Sequence, residues 1–113
     1  VYESTLMKEA VVEITSKRPG VTGVINDREE LVGVITDGDL RRGLERHPDL
    51  LERTAAEIMT HNPKRIEADT LAAQAVQRME EHAITSLFVF EKAGEKTPQG
   101  IIHLHDLLKA GVV

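Results

Sequence analysis

The sequence predicts an α+β protein built from two similar halves, and three observations predict it. One phrase is written twice: Gly33-Val34-Ile35-Thr36-Asp37-Gly38-Asp39-Leu40 reads glycine, two aliphatics, threonine, two residues, aspartate, leucine, and Gly100-Ile101-Ile102-His103-Leu104-His105-Asp106-Leu107 repeats that order with histidine in place of threonine. Laying Thr5-Leu6 on Thr70-Leu71 also lays Ala10 on Ala75, Val11 on Val76 and Ile14 on Met79. In both halves helical apolar spacing gives way to short aliphatic runs in the same order. Each half therefore reads helix, strand, strand, helix, with the two strands forming a hairpin and the helices covering the sheet.

The elements follow in chain order. Thr5 to about Lys17 is read as a helix with Thr5 as N-cap and Leu6, Ala10, Val11 and Ile14 on one face; Pro19-Gly20 stops it. Val21 to Ile25 is a β-branched strand, Asn26 to Glu30 a polar turn, and Leu31 to Ile35 a second strand. Both are nearly all apolar, as strands covered on both faces are. Asp39 to about Arg46 is a helix ended by His47-Pro48, and residues 47–53 are a charged connection. Thr54 and Glu57 have capping-box spacing and open a short helix ending near Met59. Asn62-Pro63 breaks it, and Lys64-Arg65-Ile66 is extended. The pattern then returns: a helix from Thr70 to about His82 with Leu71, Ala75, Val76 and Met79 inward, a strand from Ile84 to Phe90, a longer turn from Lys92 to Gln99, a strand from Gly100 to Leu104, and a helix from Asp106 to Ala110 with Gly111 at its C-terminal cap.

Composition bounds the function. The chain has 113 residues, 41% of them hydrophobic, enough for one compact domain or two small motifs with a real core. No apolar run is long enough to span a membrane, and no basic-then-apolar leader opens the chain. There is no Cys, which excludes disulfides and thiolate chemistry and points to a cytoplasmic setting. A net charge of -5, with 3% aromatics and no Trp, argues against nucleic acid as a partner.

A helix, two strands and a helix closed by Gly-aliphatic-aliphatic-Thr-x-x-Asp, occurring twice, resembles a tandem CBS-domain pair, or Bateman module. Ile58-Met59-Thr60-His61-Asn62-Pro63 is similar to the entry segment that often precedes a CBS repeat. The resemblance covers nearly the whole chain. It implies two β-α-β-β-α repeats packed as a pseudo-twofold pair, one over residues 1–53 and one over residues 54–113. The first lacks most of its opening strand, which is reduced to Val1-Tyr2. More narrowly, Gly33 to Arg42 (GVITDGDLRR) and the tail from Asp106 to Val113 resemble the KpsF/GutQ family of D-arabinose-5-phosphate isomerases. There a sugar-isomerase domain precedes the CBS pair, so this chain reads as the regulatory C-terminal piece of such an enzyme, with no catalysis of its own. A second CBS pair is the other expected partner.

The resemblance also implies a ligand cleft. Asp39 would accept the two vicinal hydroxyls of a ribose, and Thr36 would donate to phosphate or sugar. The same spacing is a capping-box pattern, so capping the following helix is the alternative role for Thr36. Val21 and Thr22, with Thr85 and Ser86 in the second half, open the central strands and would line the cleft. Lys64 and Arg65, beside Ile66, would neutralise a phosphate; a solvated linker is the plainer reading. His103 and Asp106 form the second copy, where His103 would donate to phosphate or titrate near neutral pH, or mark a site that binds nothing. His103 and His105 alone are a poor metal signature, so no metal is expected. No cofactor is required. The expected ligand is a nucleotide or nucleotide-sugar, CMP-Kdo by pathway analogy or an adenine nucleotide. The alternatives are a purely structural dimerisation module and, less in keeping with the acidic balance, part of a DNA-associated regulator.

Overall fold

The computed structural model describes residues 1–16 and 20–109, with Lys109 described by its backbone alone. The expectations at Lys17, Pro19, Ala110 and Gly111 lie outside the described residues. The chain forms two compact units, Val1–Pro63 and Lys64–Val113.

The first unit runs α1 (Met7–Thr15), β1 (Val21–Ile25), β2 (Leu31–Thr36), α2 (Asp37–Arg46), a 3-10 turn (Leu50–Glu52), α3 (Ala55–Ile58) and β3 (Thr60–His61). The sheet order is β1-β2-β3, with both pairs antiparallel. The hairpin closes over Asn26, whose Oδ1 accepts from the Arg28 and Glu30 amides while Glu29 takes a φ of 61°. The opening strand is reduced to a parallel bridge from Tyr2 to Ile25. Met7, Ala10, Ile14, Val24, Ile35, Leu50 and Ala55 form the core. Of the two apolar strands only Val24, Gly33 and Ile35 are buried, and the other residues are half-buried. A side chain at Gly33 would run into the Met59 thioether, which lies against β2 there.

Thr5 does not cap α1. Leu6 holds that position in extended conformation with no side-chain cap, because the Thr5 hydroxyl accepts from the Tyr2 amide and is used by the preceding turn. The segment from Thr54 to Pro63, assigned to the second repeat from the sequence and ending in the Ile58–Pro63 entry motif, lies within the first compact unit. The Ala55 amide donates to the Thr5 carbonyl and the Ala56 amide to that of Glu3, at 2.8 and 3.1 Å. The capping-box spacing holds there, with the Thr54 amide and hydroxyl both donating to Glu57 Oε1.

The second unit runs β4 (Arg65–Glu67), α4 (Ala72–Glu81), β5 (Ser86–Phe90), β6 (Gly100–His103) and α5 (Leu104–Lys109). β4 pairs parallel with β5, and β5 antiparallel with β6. One backbone bond recurs in both halves: Glu3 N–H donates to the Ile25 carbonyl as Ala68 N–H does to that of Phe90. Ile66, Ala75, Met79 and Leu87 form the core. Leu71 is not inward as the periodicity implied. It is the N-cap of α4, like Leu6 of α1, and is 69% exposed.

α4 ends in a Schellman turn. The Ile84 amide donates to the Met79 carbonyl and the Ala83 amide to that of Glu80, at 2.9 and 3.2 Å. Ile84 packs on the core cluster containing Met79, the contact this turn favours. The turn places Ala83 at φ 54°, a left-handed conformation suited to glycine. Ala83→Gly is therefore expected to stabilise the chain by up to about 1 kcal/mol, the left-handed penalty of a Cβ less the added freedom of the unfolded glycine. A rise in urea midpoint at unchanged m-value checks it.

Candidate functional site

The repeated phrase places one carboxylate in each unit, and the two are held differently. In the first unit Thr36 ends β2 and N-caps α2, so the capping role weighed from its spacing is present. Its Oγ1 accepts from the Asp39 amide at 3.2 Å and donates to Asp39 Oδ2 at 3.1 Å, and its own amide donates to Oδ2 at 2.9 Å. Asp39 is the buried charged residue of the described chain, 7% exposed. Its second oxygen, Oδ1, accepts from Arg42 Nη2 at 2.7 Å and from Thr60 Oγ1 at 2.9 Å. The carboxylate thus has four donors from three elements, close to all its lone pairs can take.

Burial pushes the Asp39 carboxyl up. The Thr36 amide, Arg42, Thr60 and the Thr36 hydroxyl together outweigh that and hold it below its ordinary 3.8. Beside Asp39 a cleft of about 250 Å³ runs between α2 and the α3–β3 segment. Arg42, Arg46 and His47 line one wall, and Glu57, Met59 and Thr60 the other.

The remaining expected residues fall as follows. Val21 stands opposite Thr36 in the β1–β2 ladder, and Thr22 opposite Ile35; both are half-buried. So Val21, Thr36 and Asp39 come together at one end of the hairpin. In the second unit Ser86 takes the place of Val21, opposite His103, and its Oγ lies 2.8 Å from His103 Nδ1. A neutral ring with a bare Nδ1 accepts from Ser86; a charged one donates to it. Asp106 is exposed on α5 and has no side-chain hydrogen bond among the described residues, so the second copy holds no capping box on its carboxylate. Thr85 is exposed, and its carbonyl takes the Leu104 amide.

Lys64 is exposed. Arg65 is committed within its own unit: its guanidinium lies 3.5 Å from the centroid of the Phe90 ring and Nη2 donates to the Glu95 carbonyl. The cation–π contact and the hydrogen bond together anchor β4. Ile66 belongs to the core and stands opposite Val89 in the β4–β5 ladder. No group of three metal-ligating side chains occurs among the described residues, and no helix among them is long and apolar enough to cross a membrane.

Two site residues were not read from the sequence as partners of Asp39. Arg42 stands three residues on, a spacing that puts it on the same helix face and was legible. Thr60 is 21 residues away and carried no local signal.

Three comparisons bear on this geometry. The CBS-domain family model matches residues 1–46 and 55–113. The arabinose 5-phosphate isomerase KdsD of Pseudomonas aeruginosa is 39% identical over all 113 residues, and the chain spans 34% of that protein's length. Among solved structures, an uncharacterized conserved protein from Pyrococcus horikoshii is 31% identical with a TM-score of 0.81, over 98% of this chain and 82% of that one. CBSX2 in complex with AMP is 25% identical with a TM-score of 0.82, over 99% of this chain and 85% of that one.

The depressed Asp39 carboxyl makes stability depend on acid. Its contribution is complete above the ordinary value of 3.8 and drains away as pH falls below that and through the lower native value. Urea unfolding between pH 6 and pH 2.5 is expected to show this loss, with part of the slope absent in Asp39→Asn.

Proposed function

We propose a ligand-sensing role for this chain, which belongs to the CBS-domain family. On that premise it is the regulatory part of an arabinose 5-phosphate isomerase, carrying its sugar-isomerase domain on the same chain and meeting a second CBS pair in an oligomer. The observation that carries the sensing role is the AMP held by CBSX2, a protein of this fold at 25% identity. The 39% identity to KdsD, of which this chain spans 34%, supports the parent enzyme.

The ligand is a nucleotide or nucleotide-sugar. Asp39 takes sugar hydroxyls, Thr36 stands beside it, and Val21 and Thr22 flank them. In the second unit Thr85, Ser86, His103 and Asp106 form a divergent counterpart, with Lys64, Arg65 and Ile66 along its first strand. Adenine nucleotides and CMP-Kdo are the two candidates, the second as a downstream product acting back on an early enzyme. Regulation then requires that the ligand bind two states of the parent enzyme unequally.

A structural dimerisation role is the second reading. Leu44 on α2 and Val12 on α1 are 63% and 65% exposed, apolar surface that a partner copy would cover.

Calorimetry of the 113-residue chain with AMP, ATP, CMP and CMP-Kdo tests the sensing role. Binding of at least one is expected, weakened about tenfold or more by Asp39→Asn, since hydrogen bonds to a charged acceptor are worth about 1.5–3 kcal/mol. No heat from any of the four at tens of micromolar protein, with a dimer in sedimentation, would favour the structural role.

A further inference from the structure

The two oxygens of Asp39 are not equivalent, and the difference says which ligands the site can take. Oδ2 holds the capping-box donors of Thr36, which cannot leave without uncapping α2. Oδ1 holds Arg42 and Thr60, which reach it from outside the turn. A vicinal diol brings two O–H donors, the number that Oδ1 would release, so the exchange conserves hydrogen bonds. It does not conserve charge pairing. Arg42 would lose its carboxylate partner, and only a ligand carrying its own anion gives the guanidinium another.

The surroundings of Arg42 fit such an exchange. Its side chain is 55% exposed while that of Asp39 is 6% exposed, so the cation can swing outward and the carboxylate cannot. It rests over Gly38, where a Cβ would sit 3.3 Å from Nη1 and 3.6 Å from Thr36 Oγ1. Gly38, in the first turn of α2, thus leaves the guanidinium its berth. The second copy has His105 and Lys109 at the two corresponding positions, so the berth belongs to the first unit. Once released, Arg42 faces the cleft it shares with Arg46 and His47.

We propose that Arg42 is the specificity-determining residue of the Asp39 site: it leaves Asp39 when a vicinal diol binds and pairs with that ligand's phosphate, so that phosphorylated diols are taken and their unphosphorylated counterparts are refused. This rests on Asp39 being the ligand-binding carboxylate. Calorimetry of the 113-residue chain with AMP against adenosine, and CMP against cytidine, tests it. The parent chain is expected to prefer at least one phosphorylated member by tenfold or more. Arg42→Ala cuts that preference about tenfold and binds the nucleoside at least as well as the parent does, by loss of a charge-assisted contact and removal of a competitor. Arg42→Lys, keeping charge without the fork, restores part of the preference. Thr60→Val removes the neutral competitor and strengthens both members equally, leaving their ratio unchanged. An unchanged ratio in Arg42→Ala, or equal weakening of both members, overturns the role of Arg42. If instead Asp39→Asn binds every probe as the parent does, or the parent binds none, the assignment of Asp39 itself fails.

Discussion

A carboxylate that is 7% exposed must be surrounded by donors or be neutral, and the first unit is organised around meeting that demand for Asp39. Its four donors come from the end of β2, the second turn of α2, and β3. One side chain therefore fixes the angle at which the helix leaves the hairpin and clips the α3–β3 segment onto the sheet edge. These directional bonds act together with packing, which brings α2 close to Leu50 at Gly43 and lays Leu40 against the core.

The second unit solves the same construction without that point. Its helix α5 follows β6 with histidine where the threonine would be, and the carboxylate of Asp106 lies exposed. The work of tying the strands passes to Arg65, which spans from the Phe90 ring to the Glu95 carbonyl, and to the Ser86–His103 pair across the β5–β6 ladder. The second unit's fixings thus sit at both ends, the Ser86–His103 pair on the repeated phrase and Arg65 on the far edge. A fixing on the phrase itself can be competed for by a ligand that binds there; one on the far edge cannot.

The repeat, the two hairpins and the capping role of Thr36 were legible because each depends on near neighbours in sequence. The Thr54–Glu57 box was legible for the same reason. The leucine N-caps were not: Thr5 and Thr70 have the better capping chemistry, but the first spends its hydroxyl on a preceding turn, and in both halves the N-cap falls one residue later, at Leu6 and Leu71. The environment of Asp39 was half legible. The aspartate was singled out, and Arg42 is within helical reach of it, but Thr60 arrives through β3 pairing on β2, a contact that no spacing rule encodes. Arg65 shows the same limit from the other side. Two adjacent cations suggested a phosphate, and only the fold reveals that one of them is already occupied by an aromatic ring.

The two hairpin turns invite a last comparison. The first is short and laced by Asn26, whose side-chain nitrogen donates to Glu30 Oε1 and whose Oδ1 accepts from the Arg28 and Glu30 amides, whereas the second is longer, exposed almost throughout, and held mainly by bonds at its base and the reach of Arg65 to the Glu95 carbonyl. Residues gained or lost near Gly94 would leave the β5–β6 register untouched, because that register is set by the ladder from Ser86 to Val89 and the base of the loop. The second loop is thus the stretch of this molecule where evolution can try new lengths, and where an engineer can splice in a tag or a fluorescent reporter, with the β5–β6 ladder kept and only the Arg65 contact to Glu95 to be refitted.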